Sequence, residues 1–242
     1  MAESGAVRPS ETESDIEPLF YPSNKLGVDA PLRWLKLGWQ DMKRARAQSL
    51  AYGAGLVLFG YLITWLAWGE GHTLALFTLG VGFILSGPVL AFGLYSISRQ
   101  LEQGREPRLG VCWAESRNHL RNEALFALVM LVVLLVWARA ASMVHVFFPF
   151  GEELGVLGWI EFLAIGSTIG AVFGTIVFSA SVVSLPMMLD RGTDAITSVL
   201  TSINAVLRNK GVMLLWAAII VLLVLAGFAT AYLGLAIVLP LI

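Results

Sequence analysis

Long apolar runs with almost no charged residues alternate along this chain with short polar stretches. A helix needs about 20 apolar residues to cross the hydrocarbon core of a bilayer, and each run has that length or more. The runs cover residues 49–68, 74–96, 124–144, 162–185 and 212–242. The pattern therefore predicts an all-α fold, a polytopic transmembrane helical bundle.

Three of the polar stretches have the pattern of an amphipathic helix that leads directly into an apolar run. These helices begin near Asp29, Pro107 and Thr193. Each has apolar residues at helical spacing on one face and polar or basic residues on the other. Two interpretations stay open. Each helix lies in the cytoplasmic membrane interface, with its Lys and Arg among anionic headgroups, or it packs on the base of the bundle.

One amphipathic helix followed by two spans forms a unit that occurs three times, which indicates an internal repeat. The units cover approximately residues 29–102, 107–190 and 193–242. The third unit contains two spans only if the last apolar run breaks near Gly227 to Thr230. As a single helix, that run would extend about 46 Å, well beyond the hydrocarbon core. The sequence favours six spans over five.

A proline recurs in the second span of every unit, at Pro88, Pro186 and Pro240. Proline has no backbone N–H, so it kinks a helix and frees a carbonyl that neighbouring helices in a bundle can satisfy. We predict a helix kink at each proline.

Composition and charge agree with a membrane protein and predict its orientation. Hydrophobic residues make up 57% of the chain and charged residues 14%, against about 25% charged in a soluble domain. Fifteen of the sixteen Lys and Arg lie in residues 1–46, 99–121 and 191–210. Because basic loops face the cytoplasm, these regions and the N-terminus are predicted to be cytoplasmic.

The N-terminal region and the single cysteine have expected structural roles. Residues 1–28 are expected to form an acidic, mobile tail, and their first part lacks the features of a signal peptide. Cys112 is the only cysteine, so no intrachain disulfide can form, and packing among apolar residues is its expected role. The predicted interfacial anchors of the amphipathic helices are Trp34, Trp39 and Trp113.

Four segments carry a resemblance to a known family. They are LxxGWxD from Leu35, GPxLxxGLYxISRxLExG from Gly87, SLPMMLDR from Ser184 and VLRN from Val206. Through them, residues from about 29 to 242 resemble a bacterial family of predicted integral membrane proteins with a domain of unknown function. The resemblance implies a multi-pass protein of the inner membrane of Gram-negative bacteria, and it implies no reaction.

No pattern in the chain is typical of a catalytic or metal site. His72, His119 and His145 are too far apart to form a metal-binding signature. Neither a glycine-rich phosphate loop nor a nucleophile elbow is present. We therefore expect no catalytic residue, no metal and no cofactor.

Gly166, Gly170 and Gly174 lie four residues apart on one helix face and allow another helix to approach backbone to backbone. This glycine ladder is a predicted helix-packing surface, and its partner is a helix of this chain, of a second copy or of another protein. Polar residues on the same span either pack between helices or line a polar path. They are Ser167, Thr168, Thr175, Ser179, Ser181 and Ser184.

Arg139 is the one basic residue predicted within a span, near its outer end. An unpaired charge at the centre of a bilayer costs about 2–3 kcal/mol on insertion scales, and less near the interface. Glu161 lies at comparable depth in the next, antiparallel span, so the sequence predicts an intramembrane pair. Two alternatives stay open: Arg139 extends to the outer headgroups, or it contacts a ligand.

Two functions agree with these features. The leading hypothesis is a non-catalytic accessory or assembly subunit that packs against a larger membrane complex, for example an energy-transducing one. Its contacts would be the glycine ladder and the acidic tail, with a second copy as another possible partner. The alternative is a small transporter or channel with a polar path through a proline-kinked bundle. The expected partners include the bilayer with its anionic headgroups and exclude nucleic acid.

The first testable prediction concerns orientation. A cysteine placed at Arg105 or Arg191 is expected to stay unlabelled when intact cells meet a membrane-impermeant thiol reagent, because both positions are predicted to be cytoplasmic. Labelling of position 105 from outside would overturn the orientation. A cysteine near His72, in a predicted outer loop, serves as the labelled control.

Overall fold

The computed structural model describes residues 19–69, 82–83, 85–147 and 155–242, without the side chains of residues 67–69, 113–120 and 145–147. These residues form helices and no strand. The helices are α1 (Ala30–Arg44), α2 (Arg46–Gly69), α3 (Gly87–Leu90), α4 (Phe92–Glu102), α5 (Leu109–Phe147), α6 (Val156–Ser181), α7 (Ser184–Arg191), α8 (Ala195–Arg208), α9 (Lys210–Ala229) and α10 (Leu235–Leu241). The predicted all-α class is confirmed for this part of the chain.

Four helical stretches in the described residues are long and apolar enough to cross a bilayer. They are Arg46–Leu66 in α2, Arg121–Val144 in α5, Val156–Arg191 through α6 and α7, and Lys210–Ala229 in α9. The predicted span 74–96 lies partly outside the described residues, and its described part is divided between short helical pieces, including α3 and α4. The favoured six spans and the threefold repeat are therefore not confirmed.

The last apolar run breaks at the predicted position. Helix α9 ends at Ala229, residues 230–234 form turns, and α10 follows with only seven residues. Ala231 and Tyr232 have positive φ values of 50° and 70°, which reverse the chain. The seven residues of α10 rise about 10 Å, so they do not by themselves form the predicted sixth span. They pack against α2.

Two of the three predicted amphipathic helices are separate elements, and the other is not. Helices α1 and α8 join the following spans at single residues, Ala45 and Asn209. The helix predicted near Pro107 is the first part of α5, which runs without a break for 39 residues. Its sequence between residues 113 and 128 holds no glycine or proline, so nothing stops helix propagation there. The prediction of a separate second interfacial helix is corrected accordingly.

The carbonyl groups of α10 lie against glycines of α1 and α2. A Cβ added to Gly53 would overlap the backbone oxygen of Ala236, and one added to Gly38 would overlap that of Leu241. Pro240 has no N–H to donate to the carbonyl of Ala236. The carbonyl of Ala236 therefore fits against Gly53, where α2 has no side chain. Such close contact between helix backbones allows Cα–H···O interactions.

The break between α6 and α7 lies just before Pro186, where the sequence predicts a kink. Residues 182 and 183 are turns, and the N–H of Val183 donates to Ser202 Oγ of α8 at 3.1 Å. The hydroxyl of Ser184 donates to the carbonyl of Ala180 at 2.6 Å. Side chains thus satisfy backbone groups that a continuous helix would pair internally. Pro88 lies in α3, between turns at residues 86 and 91, and Pro240 lies near the end of α10.

The main apolar core lies where α5, α6, α7 and α8 meet. Its buried side chains come from all four helices and from the residue before Ser86. They are Leu85, Phe126, Met130, Trp137, Val177, Ala180, Leu185, Met188 and Ala195. This core holds the α5–α6 hairpin against the half of the bundle that bears the basic residues.

An N-terminal strap, residues 21–26, lies along α8. The N–H of Tyr21 donates to Thr201 Oγ1 at 3.0 Å, and the N–H of Leu26 donates to Asn209 Oδ1 at 2.9 Å. Asn209 Nδ2 donates in turn to the carbonyl of Asn24 at 3.0 Å. The expected mobile tail of residues 1–28 therefore does not extend to residue 28, since the strap is held on α8; residues 1–18 lie outside the described part.

We expect Gly53→Ala to destabilise the fold, because the new Cβ would overlap a backbone oxygen that cannot move without shifting α10. Overpacking of this kind costs about 1–3 kcal/mol. The measurement is thermal unfolding in mild detergent, followed by loss of helical circular dichroism. Gly55→Ala, on the same helix with no described atom near its Cβ position, is the matched control. Equal unfolding temperatures for the two variants would contradict the close contact.

Candidate interaction surfaces

The glycine ladder on α6 is half-buried and borders the face by which the helix packs on the bundle. No described atom of a neighbouring element lies within 4 Å of the position that a Cβ would take on Gly166, Gly170 or Gly174. Helix α6 packs on α5 and α8 through the adjacent stripe, which includes Ile169 and Phe173. The sequence left three possible partners for the ladder: a helix of this chain, of a second copy or of another protein. No helix in the described part of this chain packs on it.

The glycines that pack closely inside the bundle were missed by the sequence analysis. They include Gly38 on α1 and Gly53 and Gly60 on α2. The ring of Tyr232 lies 3.2 Å from the Cβ position of Gly60. A signal was available, because Gly53 and Gly60 are seven residues apart and so share one helix face. The spacing alone did not show which partner, α10, would cover that face.

Three hydroxyl groups on α6 are paired within their own helix. Thr168 and Thr175 are exposed, and each hydroxyl donates to the carbonyl four residues earlier, that of Ala164 or Ala171, at 2.7 Å. The buried Ser181 donates in the same way to Val177 at 2.7 Å. Back-bonded hydroxyls are common in lipid-embedded helices and do not require a water-filled path. This favours packing over the polar path.

Arg139 and Glu161 are not brought together. Both side chains are exposed, and they form no ion pair with each other. The buried side of α5 includes Trp137, and Arg139 lies about 200° further around the helix, on the outward face. The predicted intramembrane pair is therefore not formed in this structure, and Arg139 is placed to extend along the outer surface.

The outward surface of α1 combines apolar and basic side chains. Leu32 is 66% exposed and Trp39 43% exposed, while Arg33, Lys36 and Lys43 are exposed beside them. The ammonium of Lys43 lies 5.1 Å from the centre of the Trp39 ring. This surface has the composition of a helix in a membrane interface.

The three predicted tryptophan anchors differ in position. Trp39 is on the outward surface of α1. Trp34 is half-buried and packs edge-on against Trp216 of α9, with ring centres 5.4 Å apart, so it joins helices instead of anchoring them. The side chain of Trp113 lies outside the described residues.

A polar cavity of about 290 Å³ opens where the strap meets the start of α8. Its walls include Tyr21, Asn122, Arg191 and Asp194, and the guanidinium of Arg191 lies 5.8 Å from the Tyr21 ring. Asp194 caps α8 by accepting from the N–H groups of Ile196 and Thr197 at 2.9 and 3.0 Å. Hydrogen bonds from Thr197 lower the pKa of Asp194 below its ordinary value. The carboxylate thus occupies two N–H groups of the helix N-terminus, where it acts as the N-cap.

One comparison with known protein families finds a match at the centre of the chain. Residues 76–190 match the family described as Predicted integral membrane protein (DUF2189). The resemblance expected from the sequence is confirmed for this segment. No curated protein and no solved structure matches the chain.

The DUF2189 segment contains the glycine ladder, Arg139, Glu161 and the kinks at Pro88 and Pro186. Helices α1, α8, α9 and α10 lie outside it. The close contacts of Gly38 and Gly53 with α10 therefore join parts of the chain on either side of the DUF2189 segment. The family is described only as an integral membrane protein, which agrees with the four candidate spans.

The described residues contain no group of three or more His, Cys, Asp or Glu side chains that could hold a metal ion. Of the three histidines, His72 lies outside the described residues, and the side chains of His119 and His145 are not described. Cys112 is buried, accepts from Gln100 Nε2 at 3.3 Å and donates to the carbonyl of Arg108 at 3.5 Å.

We expect Arg139 and Glu161 to contribute independently to stability, because each is exposed on the outer surface of its helix. In a double-mutant cycle with Arg139→Gln and Glu161→Gln, the changes in unfolding free energy are expected to add within about 0.5 kcal/mol. The measurement is reversible unfolding in lipid–detergent mixed micelles. A coupling well above that value would restore the pair predicted from the sequence.

Proposed function

We propose that this protein is a non-catalytic subunit of the bacterial inner membrane that binds a helix of a larger membrane protein complex through the glycine ladder. The observation that carries the proposal is the open space beside Gly166, Gly170 and Gly174, with no described neighbour within 4 Å of their Cβ positions. Glycines at this spacing are typical of helix–helix contacts in lipid, where close approach of backbones replaces the hydrophobic effect.

Two further observations support binding over transport. The hydroxyls of Thr168, Thr175 and Ser181 are occupied by their own helix, and the region where α5 to α8 meet is filled by apolar side chains. A second cavity, of about 400 Å³, has walls that include Tyr52, Val89, Phe92 and Leu185. Neither this cavity nor the one beside the strap is lined by Arg139 or by a hydroxyl of α6. A transporter remains the alternative function, and it needs a water-filled path that reaches one of these groups.

The surface of α1 supplies a second contact, with the membrane itself. Leu32 and Trp39 would enter the acyl boundary while Lys36 and Lys43 meet anionic headgroups. Because the proposed orientation places the N-terminus in the cytoplasm, this surface would lie at the cytoplasmic leaflet, on the same side as the basic regions.

The interfacial helices also support a repeated unit in the first and last thirds of the chain. The junction residues have nearly the same backbone conformation, with φ −114° and ψ 44° at Ala45 and φ −122° and ψ 39° at Asn209. We propose that α1–α2 and α8–α9 are two copies of one unit, an interfacial helix joined to a span by a one-residue bend.

Gly170→Leu tests the ladder. We expect the variant to keep the wild-type unfolding temperature, because its side chain enters open space, and to lose the partner that copurifies with the tagged protein in mild detergent. The measurements are thermal unfolding, light scattering for oligomeric state, and identification of copurifying proteins.

Gly55→Leu is the matched control, since Gly55 also faces open space but does not belong to the ladder. It is expected to retain both stability and partner. If Gly170→Leu copurified the same proteins at the same yield as Gly55→Leu, the ladder would face lipid and the proposed contact would be wrong. Loss of a dimer without loss of any other protein would identify a second copy as the partner.

A further inference from the structure

The polar cavity beside the strap contains charges of both signs that do not pair with each other. Its volume is about 290 Å³, and its wall includes Arg191 and Asp194. The guanidinium and the carboxylate form no ion pair, although the two residues are close neighbours in the sequence. An open space bordered by opposite charges is complementary to a ligand that itself carries both charges.

The end of α7 and the start of α8 set the positions of the two charges. Helix α7 is capped by Gly192, whose φ of 65° lies in the left-handed region that favours glycine. After this turn, Asp194 caps α8, and both capping N–H groups donate to the same carboxylate oxygen, Oδ1. The guanidinium of Arg191 lies over the ring of Tyr21. Each charged group is thus positioned by a contact that leaves its charge in place.

The negative charge of Asp194 limits which ligands fit. Hydrogen bonds from Thr197 lower the pKa of Asp194, so the carboxylate stays ionised at neutral pH. The capping N–H groups are neutral, and no cation of the described residues pairs with this carboxylate. A purely anionic ligand at Arg191 would therefore meet a like charge, whereas an ammonium on the same ligand would turn that repulsion into attraction.

The positive side of the cavity is suited to a phosphate. A guanidinium binds two phosphate oxygens at once through parallel N–H groups. The wall also includes Asn122 of α5, whose side-chain amide has two N–H donors. Arg191 and Asn122 come from different helices, so their donors approach the cavity from two elements.

The cavity lies at the depth of lipid headgroups. Arg191 ends the candidate span Val156–Arg191, and Asn122 is the second residue of Arg121–Val144. Leu125 and Val129 follow Asn122 on the same face of α5, at i+3 and i+7, and both are exposed. An apolar surface therefore runs from the cavity into the depth of the span, where the acyl chains of a lipid would lie.

We propose that this cavity binds the headgroup of a phospholipid that carries a primary ammonium. The phosphate meets Arg191 and Asn122, the ammonium meets Asp194, and the acyl chains follow Leu125 and Val129. Asp194 selects against headgroups that carry only negative charge. The cavity does not involve the glycine ladder, so this proposal is independent of the proposed subunit role.

The probes are phosphatidylethanolamine and phosphatidylglycerol with identical acyl chains, of which only the first has an ammonium. Dissociation constants are measured by native mass spectrometry with the full-length protein in detergent, and the readout is their ratio. Chain-free glycerophosphoethanolamine is the third probe. We expect it not to displace phosphatidylethanolamine at equal concentration, because it lacks the contacts along α5. Displacement would overturn the lipid as the ligand and would identify a soluble zwitterion.

Asp194→Asn is the deciding variant. Asparagine caps a helix about as well as aspartate, so the fold is expected to persist while the charge is lost. We expect the preference for phosphatidylethanolamine over phosphatidylglycerol to fall about tenfold. Asp190→Asn is the matched control, since it removes the same charge from an exposed residue outside the cavity wall and should leave the preference unchanged.

Arg191→Gln tests the phosphate contact and is expected to weaken phosphatidylethanolamine binding about tenfold. Its control is Arg208→Gln, which changes an exposed arginine of α8 outside the cavity wall. Helical circular dichroism confirms that each variant is folded. The proposal is overturned if folded Asp194→Asn keeps the same preference as Asp190→Asn, or if Arg191→Gln binds phosphatidylethanolamine as tightly as Arg208→Gln.

Discussion

Every backbone N–H and C=O inside a bilayer needs a partner within the protein, and this requirement governs each place where a helix of this chain breaks. The break between α6 and α7 is satisfied by Ser202, which accepts from Val183. The bend at the end of α8 uses Asn209, whose amide also holds the N-terminal strap. The turn after α9 is closed by Thr230, which donates to Gly227 and accepts from the N–H of Gly234. Small polar residues at the breaks thus allow a bundle of short and kinked helices to exist in lipid.

The same requirement explains why glycine has two different roles here. Where α10 passes α2, the carbonyl of Ala236 lacks a helical donor because of Pro240, and it fits against Gly53. That contact fixes the C-terminal helix inside the bundle. On α6 the ladder around Gly170 has the same capacity for close approach but meets no described neighbour. A surface suited to backbone contact, and left open by the part of the chain that the structure describes, is the physical basis of the proposed subunit role.

Hydroxyl groups in the apolar part of the molecule follow the same rule. Those of Thr168 and Thr175 donate to carbonyls of their own helix. The hydroxyl of Tyr52 donates to the carbonyl of Leu90, in another helix. In each case the proton that lipid cannot accept is used within the protein.

The sequence by itself determined the class of this protein, four of its spans, the break after Ala229 and the two amphipathic helices α1 and α8. These follow from local composition, because hydrophobic length, helical periodicity and turn-forming residues act over neighbouring positions. Tertiary structure alone decided that the glycines at 38 and 53 meet α10 while the ladder meets no described neighbour, that Trp34 meets Trp216, and that Arg139 and Glu161 stay apart. Whether a helix face is buried depends on which distant segments of the chain cover it. The spacing of glycines in the sequence is the same for a covered face and for an open one. For the same reason the cavity beside Tyr52 has no sequence signal, since four separate segments meet to form it.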